Sequence, residues 1–322
     1  MARLLALADD LTGALEVGAK LGAPVVLYYR CSVWSHEILV VDTESRHMDP
    51  ADAAARVRQT VSACRPSLIF KKTDSTLRGN IGAELAAIGE AAPDRRLVFL
   101  PAYPELGRTV RNGHLYVDGQ PLHLTPFAQD PHHPALSSSV QDALQGLACR
   151  IEIHDSDSEE EVARSVAEAL ACQPTPVLCG PANVAGHLAR ALGLTSLALE
   201  RWHPTVRCLV VNGSMHQRSA AQIEDGAARD WPGWSFIAQG HRAAEEVAGL
   251  WARDSFDTLV VFGGDTAFSI LEAIGWSELT SLGEIAPGVP VSRTGALQLV
   301  TKAGGFGPVD VLSRIRDGLT RV

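Results

Sequence analysis

Leu68-Ile69-Phe70-Lys71-Lys72-Thr73-Asp74-Ser75-Thr76-Leu77-Arg78-Gly79-Asn80 is the stretch whose reading decides the fold. Three apolar residues run directly into a dense polar turn, and the segment after it, Ile81–Ala91, has apolar residues at helical spacing. A short apolar run bounded by turn residues reads as a buried strand, so the order is strand, charged turn, helix. The turn offers two ammonium groups, a guanidinium, hydroxyls and a carboxylate within ten residues. Lys72 and Arg78 suit an anionic group, while Asp74, Ser75 and Asn80 suit hydroxyls, next to the partial positive charge of a helix N-terminus. That set fits a small polyhydroxy acid better than a solvated loop.

The same grammar repeats outward. Short apolar runs at Leu4–Ala8, Pro24–Tyr29, Ile38–Val41, Leu97–Leu100, Ile151–Ile153, Val177–Cys179, Cys208–Val211, Thr258–Phe262 and Leu297–Val300 alternate with amphipathic segments. Alternation of this kind predicts βαβ units and an α/β fold with mostly parallel sheets flanked by helices. In such sheets ligands bind beyond the carboxyl ends of the strands. One segment breaks the pattern: 101–134 is rich in Pro, Gly, His and Asp, with a hairpin expected at His114–Val117, Asp118-Gly119 and Pro121–Leu124. The chain has 322 residues, more than one core usually serves, so two domains are expected, 1–203 and 204–322.

The polar clusters fall where the strands end. Ala8-Asp9-Asp10-Leu11-Thr12-Gly13 puts two carboxylates and a hydroxyl at a helix start, suited to a substrate hydroxyl or a general base. Thr43 and Arg46 follow the third run, and Arg46 suits a bidentate carboxylate pair. In the second half, Ser214 lies in an Asn-Gly-Ser turn, Gly263-Gly264-Asp265-Thr266 in a second turn, and Lys302-Ala303-Gly304-Gly305 in a third. Glycine turns leading from strand to helix allow close approach of backbone N–H groups to phosphates. Lys302 would add a point charge, and Asp265 and Thr266 oxygens for phosphate or magnesium. The spacing is not that of a Walker A loop, and no GxGxxG turn supports a nicotinamide dehydrogenase.

The formal net charge of -9 argues against nucleic acid or an anionic membrane as partner. Six scattered cysteines without a CxxC pair give no zinc or redox signature, and His132-His133 has no further ligand at metal-like spacing. No run approaches a membrane span or a signal-peptide core, which leads to an expectation of a cytoplasmic protein.

Taken together, ADDLTGA (8–14), DTESR (42–46), KKTDSTLRGNIGAEL (71–85), PAYPELGRTVRNGHLYVDG (101–119), DPHHP (130–134), CGPANVAGHLA (179–189), NGS (212–214), GGDTA (263–267), GEIAPGVP (283–290) and KAGGFG (302–307) resemble the four-carbon acid sugar kinase family, in the right order and nearly end to end. The resemblance implies a sugar-acid domain, a nucleotide domain and an active site in the cleft between them. It implies ATP-dependent phosphorylation of a hydroxyl on a threonate-, erythronate- or 3-oxo-tetronate-type acid, with Mg²⁺ on the ATP phosphates. By motif position Asp10, Lys72, Asp74 and Arg78 would line the substrate, and Ser214, Gly263–Thr266 and Gly304 would contact ATP. Asp10 is the first candidate for base or hydroxyl-orienting group, with Asp9 second. Two departures stand out. The stretch from Ser214 to Gly263 is shorter than in the family, and Pro181-Ala182-Asn183 replaces a Ser-Ala-Gly-like turn. The shortening motivates a competing expectation, a protein that binds the sugar acid without ATP turnover. A homodimer is the base-rate expectation for assembly.

Overall fold

The computed structural model describes residues 3–28, 36–130, 132–147, 149–194, 202–237, 243–253, 255–276 and 278–320. The chain forms two units, Met1–Leu21 with Val26–Ser196, and Gly22–Val25 with Leu197–Val322. The boundary expected at Glu200 to Thr205 lies partly outside the described residues, as does the end of the strand expected at Pro24–Tyr29.

The first unit contains β1 (Leu4–Ala8), α1 (Leu11–Leu21), β2 (Val25–Leu27), β3 (Ile38–Asp42), α2 (Pro50–Cys64), β4 (Leu68–Lys72), α3 (Ile81–Ala91) and β5 (Leu97–Phe99). It continues through β6 (Arg108–Arg111), β7 (His114–Val117), β8 (Gln120–Pro121), β9 (Ile151–Ile153), α4 (Glu159–Leu170), β10 (Val177–Gly180) and α5 (Ala182–Ala191). Its sheet runs β3-β1-β4-β10-β5-β9, every pair parallel. β1 is wholly buried, as a strand covered by helices on both faces must be. Because β3 lies on one side of β1 and β4 on the other, the chain reverses direction at β1. The crevice that opens at such a reversal is the usual ligand position in a doubly wound sheet.

Local chemistry sets the helix limits. Pro50 fills the first turn of α2, where its missing N–H costs nothing, and Arg65 closes the helix at φ 45°. Ser158 Oγ accepts from Glu161 N at the start of α4, and three glutamates occupy that first turn, complementing the helix dipole. The expected hairpin at His114 forms, but its second strand stops at Pro121 because Leu122–Leu124 winds into a 3-10 turn. β6 joins it as a third strand that sequence reading missed.

The second unit contains β11 (Cys208–Asn212), α6 (Gln217–Ala227), β12 (Trp234–Ile237), α7 (Ala243–Ala252), β13 (Thr258–Phe262), α8 (Gly264–Ala273), β14 (Glu278–Ala286), β15 (Val289–Thr294), β16 (Leu297–Lys302) and α9 (Val311–Thr320). β12-β11-β13-β16 are parallel, and β15 and β14 extend the sheet antiparallel. β12 and the β14–β15 hairpin were not read from the sequence. β12 is an edge strand, and both β12 and β14 are buried only in part, so their apolar pattern is diluted. The core packs Val210, Val260, Phe262 and Val300 against Leu312 and Ile315 of α9. This unit has its own reversal at β11, with β12 on one side and β13 on the other. Among the described residues no helix is long and apolar enough to cross a membrane.

Candidate active site

In the first unit the turns after β1, β3 and β4 carry one buried charge cluster. Arg46 grips Asp9 in a two-pronged pair, Nε to Oδ2 at 2.8 Å and Nη2 to Oδ1 at 3.0 Å, and Nη2 also reaches Asp10 Oδ1 at 2.7 Å. Asp74 Oδ1 lies 3.7 Å from the same guanidinium. Arg78 forms a second fork on Asp74, through Nε at 3.0 Å and Nη2 at 2.8 Å, and sends Nη1 to Asp130 Oδ2 at 3.3 Å. Asp74 also accepts from the backbone and hydroxyl of Thr76, which folds the turn over its own carboxylate. Such charge-assisted forks fix plane and direction as well as distance.

Burial works against ionisation of Asp9, but Arg46, Lys71 and Lys72 outweigh it and hold the carboxyl down at about 2. Burial opposes ionisation of Asp74 as well, and Arg78, Arg46 and Lys72 keep it well below the usual carboxylate range. Asp42, at the end of β3, goes the other way. Burial, with Asp10 and Asp9 as like-charged neighbours, pushes it up to about 7 despite its bond from Glu44 N.

Lys72 and Asp10 converge. A methyl group placed on Gly13 would lie 2.7 Å from Asp10 Oδ1 and 2.8 Å from Lys72 Nζ, so only glycine lets α1 start here. Among the described residues the buried hydroxyls of Thr12 and Thr73 find no hydrogen-bond partner. An orphaned buried hydroxyl is costly, and two beside a buried ammonium and carboxylate mark a place where a polar ligand fits. Other predicted residues serve as framework. Thr43 Oγ1 donates to Ala8 O at 2.7 Å, and Asn80 Nδ2 donates to Ser45 O and Met48 O, both at 2.9 Å. Ser75 is half-buried on the same turn.

Sequence reading missed the brace beneath. Lys71 is fully buried and pairs with Glu84 of α3 at 2.9 Å while donating to Lys72 O at 2.8 Å. Glu84 also accepts from Ser45 Oγ, which lies 2.7 Å from Thr43 Oγ1. One network thus ties the ends of β1, β3 and β4 to α3. Asp130 was missed for the same reason, since it meets Arg78 from 52 residues away. Asn183, at the departure near Pro181, is structural: it donates to Ala102 O at 3.1 Å and to Glu159, which also holds His187 Nε2 at 2.6 Å.

In the second unit the turns after β11, β13 and β16 close on one another. A Cβ on Gly213 would overlap the Thr266 hydroxyl, and one on Gly304 would overlap Ser214 Oγ. Gly263 adopts φ 115°, and a Cβ there would sit 3.1 Å from Gly213 C. α8 starts at Gly264 directly after this turn, and a helix start directs its first backbone N–H groups outward along the axis. Three glycine turns packed against one another, one of them opening a helix, form a cradle that fits phosphate. Gly305 (φ 83°) continues the third turn. Lys302 is turned inward: its Nζ donates to Ala303 O at 2.9 Å and sits 5.1 and 5.4 Å from the ring centres of Phe262 and Phe306. Burial, with Arg218 nearby, pushes this ammonium down to about 7.

A doubly wound unit with a buried polar cluster, joined in one chain to a second unit with a glycine cradle, defines a two-part α/β protein of the ligand-plus-nucleotide class. Comparison with known proteins agrees. A family described as a sugar-binding N-terminal domain matches residues 4–198, and one described as a nucleotide-binding C-terminal domain matches residues 235–312. The D-threonate kinase of Bordetella bronchiseptica is 30% identical over an alignment of 390 positions covering 95% of each chain. That alignment is longer than this chain, so the relative carries stretches that are absent here. A solved Haemophilus influenzae protein of the DUF1537 family shares the fold, with a TM-score of 0.70 at 18% identity over 97% of this chain and 99% of its own. A Bordetella bronchiseptica domain of unknown function, solved with bound citrate as a domain-swapped dimer, is 27% identical with a TM-score of 0.53, over 99% of this chain and 98% of its own. The chain belongs to the four-carbon acid sugar kinase family.

Proposed function

We propose that the protein uses ATP and magnesium to phosphorylate a hydroxyl of a four-carbon sugar acid, with residues 1–203 taking the acid and residues 204–322 the nucleotide. The observation that carries this reading is the convergence of Asp10 and Lys72 over Gly13, next in sequence to Thr12 and Thr73, whose hydroxyls find no partner among the described residues. Asp10 orients the attacking hydroxyl or takes its proton. Lys72 holds the acid's carboxylate or the transferred group as a point charge. Arg46 and Arg78 are occupied by Asp9, Asp10, Asp74 and Asp130, so their first task is to hold those carboxylates in place. Phosphoryl transfer asks the protein mainly for position and charge stabilisation, which such a locked cluster supplies.

The turns around Gly213, Gly263 and Gly304 would hold the ATP phosphates, with Asp265 and Thr266 at the start of α8. Magnesium would neutralise phosphate charge there, with Asp265 as a protein oxygen, since this ion keeps mostly phosphate and water ligands. The shortened stretch between Ser214 and Gly263 still supplies α6, β12, α7 and β13, so both glycine turns at the reversal are retained. The competing reading, acid binding without turnover, gains no support from this arrangement. A homodimer is our expectation for assembly, supported by the dimer of the Bordetella relative.

The test is ADP release from Mg-ATP with a panel of threonates, erythronates and oxo-tetronates, against a blank without acid. Acid-dependent release is the expected result. Thermal stabilisation by an acid but no release with any member would sink the kinase reading.

A further inference from the structure

Three imidazoles gather where the irregular segment meets the loop after β3, and phosphoryl transfer as described leaves them without a task. His133 Nε2 lies 2.9 Å from His47 Nδ1, with ring centres 4.9 Å apart. The ring of His132 stands nearly edge-on to His47, at 5.5 Å. Both members of the bonded pair are tied to the charge cluster. His47 directly follows Arg46 in the chain. The backbone N–H groups of His132 and His133 donate to Asp130 Oδ1 at 3.0 and 2.9 Å, and the other oxygen of that carboxylate accepts from Arg78. The pair therefore spans the gap between the two arginines.

A hydrogen bond between two imidazoles ties the tautomer of one ring to that of the other. Whichever way it runs, the second ring nitrogen of a neutral His133 is either an N–H donor or a bare acceptor. A hydroxyl group, which both donates and accepts, is the natural match for either. The 2.9 Å contact is a hydrogen bond. It is shorter than the roughly 3.3 Å between two nitrogens bound to one tetrahedral zinc at ~2.0–2.1 Å each. Burial, His47, Arg46 and Arg78 hold His133 below the ordinary histidine range, against the pull of Asp130, so the ring stays neutral near pH 7. Apart from the bond to His47, the ring of His133 has no hydrogen bond among the described residues, and the residue is half-buried.

We propose that His133, oriented by His47, binds a hydroxyl of the sugar acid and sets which stereoisomer the site accepts. This rests on the sugar-acid reading above and assigns a specificity role to His133 of the DPHHP motif. His133 is a binding residue, and His47 a positioning residue that acts through it.

The test uses the full chain with D-threonate and D-erythronate, which differ at one hydroxyl-bearing carbon. Steady-state kinetics, calorimetric Kd and thermal midpoint are compared for the unaltered chain, His133→Ala, His133→Gln and His47→Phe. His133→Ala should raise KM and Kd for the preferred acid about tenfold and bring the preference between the two acids toward one. KM for ATP and the thermal midpoint should hold, and His133→Gln should recover part of the loss. Unchanged KM and unchanged preference would overturn the proposal, as would a lower midpoint with a lower kcat at constant KM, the mark of a purely structural brace. If the unaltered chain binds an acid without releasing ADP, the Kd comparison still decides the role of His133 while the kinase reading falls. If it binds neither acid, both fall.

Discussion

Arg46 is the residue on which the first site turns, because its guanidinium neutralises Asp9 and Asp10 at once in a buried setting. Removing one partner of a buried pair leaves the others charged and unpaired, which costs about 3–5 kcal/mol. Arg46→Ala should lower unfolding stability by that order in urea titration and abolish turnover; an unchanged midpoint would show that the pair contributes nothing net. Arg46→Lys should rescue little, since a single ammonium cannot reproduce the fork. Asp42 makes the opposite prediction. Its carboxyl is raised from 3.8 to about 7 in the fold. Below pH ~4 both states are protonated and it has no effect on stability. Between ~4 and 7 the unfolded chain loses the proton while the fold keeps it, so stability falls as pH rises, and above 7 the penalty stays constant at roughly 4 kcal/mol. Asp42→Asn should therefore raise the thermal midpoint at pH 8 and leave it near the unaltered value at pH 4. An equal drop at both pH values would mean that Asp42 is ionised in the fold.

Among elements, the decisive contacts are between strand ends and the helices that follow them. Glu84 on α3 joins Lys71 of β4 to Ser45 beyond β3, so α3 registers three turns through one carboxylate. Glu84→Gln keeps the shape but leaves Lys71 as an unpaired buried ammonium, with an expected loss of about 3–5 kcal/mol. Because Lys71 also donates to Lys72 O, KM for the acid should rise with it. A stability loss with KM unmoved would confine Glu84 to the framework. In the second unit, Gly213→Ala would drive a methyl group into the Thr266 hydroxyl and push the first turn of α8 away from β11. KM for ATP should rise at least tenfold while the Kd of the acid holds; an unmoved nucleotide KM would displace the cradle as the phosphate site.

For the whole molecule, charge sets a long-range condition that the local site must overcome. The chain carries a formal -9, and an anionic acid approaches against that field. Nor is the cluster itself a simple positive patch, since Lys71, Lys72, Arg46 and Arg78 lie among Asp9, Asp10, Asp74, Asp130 and Glu84. Recognition must come from where the donors point. Raising ionic strength from ~0.01 to ~0.15 M shortens the screening length from about 30 to about 8 Å. It should raise kcat/KM for the acid, by no more than about threefold; a steep fall with salt would mean that long-range attraction dominates capture.

The sequence by itself determined the class of fold and the places to look. Strand, turn and helix are written in windows of about ten residues, and Asp9, Asp10, Arg46, Lys72, Asp74 and Arg78 all fall in turns that follow apolar runs. The tertiary structure alone decided how these charges pair. That Arg46 holds Asp9 and Asp10 follows from β3 lying beside β1, that Asp130 crosses 52 residues to Arg78 from the path of the irregular segment, and that Glu84 braces Lys71 from the packing of α3 on β4. Lys302 makes the same point in reverse. On the sequence it reads as a phosphate-binding cation; that it is also buried near the rings of Phe262 and Phe306 is visible only in the packing of β16. Side-chain periodicity encodes which face of an element is buried, whereas the partner of a buried charge depends on strand order and register, which no local window contains.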